Sequence, residues 1–265
     1  MLTSDRKHGL PALGGSSVDA RGIVPTSTCT QARVRLYQAS QKPGARDGAW
    51  QVSSWGKCRV SGRLGQRHAD CLEAIFYNAE RVQRTDDGAL YLLVDPARVR
   101  RCISAAGYSS EGLAKLLREI MSAVIEIEAS ADMRIMGHLI DEVIESPVRR
   151  RNPLGGDRAM MRVRVGAVAA GLIEHDLHMR HDPAPIAALR SGVSQAIARH
   201  VLSHKAAPSG GWRLDGLLDA VGVDPAGNAR RNARRAVRGD LDGLALVGIV
   251  IDGDRIRRGE AEIAR

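Results

Sequence analysis

The chain has 265 residues, 44% of them hydrophobic, and its 39 Lys and Arg against 30 Asp and Glu give a formal net charge of +9. That length suffices for about two small domains with buried cores, and the basic balance points to a polyanionic partner, nucleic acid ahead of an anionic membrane surface. No apolar run nears the roughly 20 residues of a membrane span, no hydrophobic signal core follows Met1 to His8, and Cys29, Cys58, Cys71 and Cys102 are dispersed without a CxxC pair, a pattern of reduced thiols in a cytoplasm and not of a zinc module.

Residues 1–31 are rich in Gly, Ser, Thr and Pro, lack periodicity, and read as a flexible tail. A first domain is expected over residues 32–182. It opens with an alternating strand at 32–37, a turn-rich break at 42–48 and one or two strands over 50–61. Ala69, Leu72, Ile75, Phe76 and Ala79 fall at helical spacing and predict a helix over 68–82, closed by Thr85-Asp86-Asp87-Gly88. A short buried strand follows at 90–94. Asp95 before Pro96 is an N-cap and first-turn proline, opening a helix that stops before Gly107. Ser109 caps another, with Leu113, Leu116, Leu117, Ile120 and Val124 as its stripe. This helix-turn-helix precedes alternating strands at 125–128, 138–144 and 161–165. The basic stretch 147–156 reads as a loop, because a central strand does not hold its prolines. Scattered acids such as Glu126, Glu128, Asp141 and Glu142 read as solvent-facing.

The same order returns in a second domain, residues 183–265: a helix at 186–204, a break at 208–211, a short helix at 214–221 and a turn at 222–224. An arginine-rich helix follows, then a strand at 246–251, the tight turn Asp252-Gly253-Asp254 and a return strand at 255–257. The expected fold is α+β: two tandem winged-helix domains behind a tail, repeated in element order and not in sequence identity.

The arginine-rich helix carries the chemistry. At 100° per residue, Ala229, Ala233, Ala236, Val237, Leu241 and Leu244 gather on one side; Arg231, Arg234, Arg235 and Arg238 gather opposite, flanked by Asn228 and Asn232. With Arg230 it holds five arginines and no acid between Asn228 and Arg238. Guanidinium forks suit guanine edges and phosphates, and asparagine amides suit adenine. A helix of this kind, third in a winged helix, sits where major-groove recognition occurs. Arg255, Arg257 and Arg258 would meet phosphates from the wing. In the first domain the equivalent helix offers Lys115 and Arg118, offset by Glu111 and Glu119. Arg149, Arg150 and Arg151 are candidates to carry that domain's DNA charge from a loop, with plain solvation the alternative. His175, His178 and His181 have no second Cys/His cluster to close a zinc site, and no GxxxxGK[ST] loop exists. No metal, no cofactor and no catalytic constellation is expected.

These features resemble the iteron-binding replication initiators of bacterial plasmids, the TrfA type first and RepC-type initiators next. The similarity runs from about Trp55 to Arg257. It rests on Trp55-Gly-Lys-Cys-Arg-Val-Ser-Gly-Arg-Leu, on Gly137-His138-Leu139 with Met161-Arg-Val-Arg-Val as a first wing, on Ile186-Ala-Ala-Leu-Arg-Ser-Gly-Val-Ser-Gln-Ala-Ile-Ala-Arg, and on Gly243-Leu-Ala-Leu-Val. The family's aromatic residues before its second domain are missing around residues 172–181. The resemblance implies binding of double-stranded DNA at direct repeats of an origin and a homodimer in equilibrium with the monomer. It also implies recruitment of host DnaA and the replicative helicase, with no membrane partner. A winged-helix transcriptional regulator of an operator, or a non-specific DNA-coating protein, would share the fold and differ in the DNA it prefers.

Overall fold

The computed structural model describes residues 24–86, 88–130, 133–152 and 155–259. The chain is a mixed α+β protein. Its buried apolar side chains fall into two clusters, one drawn from Val24 to Leu172 and the other from Ile186 to Ile256. No helix among the described residues is long and apolar enough to cross a membrane.

The first part runs β1 (Ser27–Thr28), α1 (Cys29–Arg33), β2 (Arg46–Asp47), β3 (Gln51–Ser53), β4 (Gly56–Gly62), α2 (Gln66–Tyr77), β5 (Ala79–Arg84), β6 (Leu90–Val94), α3 (Pro96–Ile103) and α4 (Ser110–Ser122). It continues through β7 (Val124–Ser130), β8 (Met133–Gly137), β9 (Ile140–Arg151), β10 (Asp157–Val165), α5 (Ala167–His175) and β11 (His178–Met179). The second part is α6 (Ala184–Ala187), α7 (Gly192–Leu202), β12 (Trp212–Arg213), α8 (Leu214–Ala220), α9 (Gly227–Arg238), α10 (Leu241–Leu246), β13 (Ile249–Asp252) and β14 (Arg255–Arg258).

One arrangement occurs twice. In the second part a helix (α7), a strand (β12), the helices α8 and α9 with the short α10 behind them, and a hairpin (β13, β14) follow in order, the strands arranged β12-β14-β13. In the first, α2, β6, α3, α4 and the pair β9 and β10 build the order β6-β10-β9, with β5 added beside β6. In both, the last strand lies between the other two. The first copy carries an insertion: β7 and β8 leave it to join β4 in a separate sheet of order β2-β4-β7-β8, with β3 on β4.

Local chemistry explains most boundaries. Asp95 accepts from Ala97 N at 2.9 Å and Ser109 from Gly112 N at 2.9 Å, so both expected caps start their helices. The expected helix over 68–82 begins two residues earlier and ends at Tyr77. Its apparent continuation is β5, whose Val82 pairs with Leu92, so Thr85 and Gly88, whose N donates to Thr85 O at 2.9 Å, lie in a hairpin connection and do not close a helix. The expected helix over 186–204 is two helices, split where Ser191 caps α7 by accepting from Ser194 N at 3.0 Å.

Other expectations fail for a physical reason. The basic stretch expected as a loop is strand through Arg151. Pro147 is tolerated because β9 is the sheet's edge, and because the pairing jumps there from Ala159↔Arg149 to Met161↔Glu145. Residues 24–31, expected as tail, are buried: Ser27 and Thr28 pair with Met179 and His178, and a capping box between Thr28 and Gln31 starts α1, which runs to Arg33, and the strand expected over 32–37 does not form. Residues 1–23 of the expected tail lie outside the described residues. Glu126, expected to face solvent, is buried between Arg59 and Arg134, whose Nη2 lies 2.8 Å from it.

The two cores are joined by a buried ionic cluster between equivalent helices. Arg199 on α7 donates to Glu73 at 2.9 and 2.8 Å, to Asp70 at 2.7 Å and to Gln66 at 2.8 Å, three residues on one face of α2. Burial alone would raise the Glu73 carboxyl, but Arg199 and His181 outweigh it and bring it down to about 2, while burial pushes Asp70 up. At the same seam a Cβ on Gly192 would stand 2.6 Å from the Ser40 backbone. Backbone cannot yield as a flexible side chain does, so Gly192→Ala is expected to lower unfolding stability by about 1–3 kcal/mol. A urea titration measures the loss.

Candidate nucleic-acid interface

Helix α9 starts after an Asx turn, with Asp224 Oδ1 accepting from Ala226 N at 2.9 Å. It ends at Gly239. The next residue ties the helix end down: the Asp240 carboxylate accepts from the backbone N–H of Arg190 and Ser191, each at 3.0 Å. The buried positions are Arg230, Ala233 and Val237, with Leu244 of α10 continuing the contact.

That face is rotated from the expected one. Ala229 is exposed and Leu241 is 43% exposed, whereas Arg230 is only 9% exposed. The reason is a counter-charge from outside the helix. Arg230 donates to Asp215 Oδ1 at 3.2 Å, to the Asp215 carbonyl at 2.8 Å and to Asp219 Oδ1 at 2.6 Å, both aspartates on α8. Arg234 holds Asp215 in a fork at 2.9 and 2.5 Å. The Arg234 guanidinium keeps the Asp215 carboxyl below the usual carboxylate range. Arg230, expected among the DNA contacts, is thus a packing residue, and Arg234 is committed to α8. Arg238 reaches Asp254 in the hairpin turn at 3.1 Å.

What remains is narrower and cleaner. Asn228, Arg231, Asn232 and Arg235 are all exposed and stand at i, i+3, i+4 and i+7, one stripe of the helix. Arg231 Nη2 donates to Asn228 Oδ1 at 2.9 Å, which pre-sets its fork. Neither Arg231 nor Arg235 has a carboxylate partner among the described residues. The stripe offers two guanidiniums and two amides, a donor-rich surface of helical width.

The hairpin behind it is less basic than expected, since its turn carries Asp252 and Asp254 beside Arg255. Arg255 and Arg257 are exposed on the strand face opposite Ile256, which is buried in the core. Arg258 donates to the His204 carbonyl at 2.8 Å, closing the end of α7. One cation escaped the sequence reading: Arg213 is exposed and pairs across the sheet with Arg255. A two-residue strand leaves no periodic signal, so nothing pointed to it.

In the first part Lys115 and Arg118 are exposed on α4, and Glu119 is turned aside toward His68 Nε2 at 2.8 Å. The three arginines of β9 do not form a free basic loop. Arg149 lies 2.7 Å from Glu145, Arg150 lies 2.6 Å from Glu80 and 3.6 Å from Asp95, and Arg151 ends the strand, exposed. Among the described residues no three His, Cys, Asp or Glu side chains gather as a metal site.

The α8 aspartates make a checkable prediction. Asp215→Asn removes one counter-charge from Arg234, and a surface pair of this kind is worth at most about 1 kcal/mol. DNA affinity at low ionic strength should then rise roughly threefold, with a lower Tm because buried Arg230 loses the same carboxylate. Fluorescence anisotropy on a random duplex measures it.

No protein-family model, curated protein or solved structure matches this chain.

Proposed function

We propose that the chain is a sequence-specific, double-stranded DNA-binding protein built on two winged-helix units, and that it acts as the replication initiator of a plasmid. The observation that carries DNA binding is the α9 stripe: Asn228, Arg231, Asn232 and Arg235 stand exposed, while the helix's other arginines are turned to aspartates. A third helix ahead of a hairpin, here with the short α10 between them, is where this fold class presents such a stripe to a major groove. Arg213, Arg255 and Arg257 would meet the flanking phosphates. Two dissimilar units in one chain suit an asymmetric site repeated head to tail better than a palindrome. The resemblance to iteron-binding initiators adds the origin, the monomer–dimer equilibrium and the recruitment of DnaA and helicase.

Selection of bound duplexes from a random pool tests the reading. Recovered sites should be asymmetric, and a tandem array of them should be bound by monomers. Recovery of a palindrome bound by a symmetric dimer would favour an operator-binding regulator. Recovery of no preferred sequence would reduce the protein to a non-specific DNA coat.

A further inference from the structure

Segment 38–43 belongs to neither copy of the repeated arrangement, yet it runs as a ridge between two open clefts. The first cleft, about 430 Å³, has Ala229, Asn232 and Ala236 of α9 on one wall and Gln38, Ser40 and Gln51 on the other. The second, about 350 Å³, lies between Gln41, Lys42 and Pro43 of the ridge, Arg63, and Gly112, Lys115 and Glu119 of α4. The third helices of the two copies therefore border clefts that share this one ridge.

The ridge is held rigidly at the N-termini of the two equivalent helices. Ser40 O accepts from Gln66 N at 2.8 Å, and a Cβ on Gly65 would stand 2.5 Å from that oxygen. Gln38 N donates to Leu64 O at 2.9 Å, and Gln41 Nε2 donates to Leu189 O at 3.1 Å. Lys42, Arg63 and Lys115 are exposed and have no ion pair or side-chain hydrogen bond among the described residues. Glu119, the carboxylate of that cleft, is engaged by His68. Three uncommitted cations on a fixed backbone frame attract phosphate with no loop to order, only their own side chains.

We propose that the ridge is a DNA-contact element in its own right, and that Lys42, Arg63 and Lys115 take phosphates of the same duplex whose bases face α9. The proposal rests on the reading of α9 given above. The ridge itself is short: five Cα steps from Gln38 to Pro43 span at most about 18 Å, close to half a turn of B-DNA. Consecutive residues of one segment line both clefts, Gln38 and Ser40 the first and Gln41 to Pro43 the second, which suits a continuous polyanion better than a small enclosed one.

The test uses the full chain with Lys42, Arg63 and Lys115 all changed to Ala, exposed positions whose loss leaves Tm unchanged. Affinity for the selected duplex is followed from low to moderate salt. The slope of log K against log salt should shrink by about three, one per lost phosphate contact. Preference over a scrambled duplex should stay as in the wild type, and ethylation interference should lose phosphates flanking the α9 segment. A wild-type slope and interference pattern in the triple variant would overturn the proposal while leaving the α9 reading intact. Inorganic phosphate that binds the wild type and not the triple variant, with DNA slopes equal, would assign the cleft to a small anion and overturn it as well. Failure of the α9 reading is separate: Arg231→Ala with Arg235→Ala would then keep full sequence preference.

Discussion

Arg231→Ala and Arg235→Ala should each weaken binding to the preferred duplex by about 1–3 kcal/mol where the fork is bidentate to a base. The double variant should bind preferred and scrambled duplexes alike, with residual affinity that falls steeply in salt. The expectation is asymmetric within the helix. Arg230→Ala should instead lower stability, because it leaves Asp219 without its partner and takes one of two from Asp215, and each guanidinium nitrogen of Arg230 already donates to α8. Gel-shift titration at physiological salt and thermal melting, run on the same four variants, separate the two classes. Equal binding by the double variant and the wild type would remove α9 from the interface.

Arg199→Ala should be the most destabilising single change in the molecule. It strands Glu73 in a buried seam and leaves Asp70 to Arg67 and Gln195 alone, each at 3.2 Å, and breaking a buried pair from one side costs about 3–5 kcal/mol. Arg199→Met combined with Asp70→Asn and Glu73→Gln removes both sides and should recover most of the loss, since a well-packed neutral seam carries no stranded charge. Urea unfolding of the two variants gives the comparison. Acid acts on the same cluster. Glu73 is held at about 2 in the folded chain against roughly 4.3 when unfolded, so its contribution is complete above the unfolded value and is lost as pH falls toward 2. In the Arg199→Ala variant that part of the acid dependence should vanish.

Much of the second part was legible because its elements announce themselves. Residues 214–221 and 228–238 carry helical spacing, and Asp252-Gly253-Asp254 names its turn. The first part was legible where caps are explicit, at Asp95 and Ser109. It was misread where one pattern serves two structures: Ala79 continues the α2 stripe in phase yet starts β5. Pro147 reads as a strand breaker until the sheet order puts it on an edge. The face of α9 was displaced for a different reason. Sequence periodicity treats every arginine as outward, and only tertiary structure brings Asp215 and Asp219 from a neighbouring helix to bury Arg230. The ridge at 38–43 had no signature at all, since its role comes from what lies on either side.

The seam between α2 and α7 also gives the molecule a direction. These helices hold corresponding places in the two copies, yet one face bears Asp70 and Glu73 and the other bears Arg199. A unit meeting its own twin through that face would bury acid against acid or guanidinium against guanidinium, several kcal/mol uphill by the general cost of unpaired buried charge. Only the mixed pairing sets guanidinium against carboxylate. The duplicated arrangement is thus locked as a head and a tail, and any object laid along both halves is met by them in one orientation.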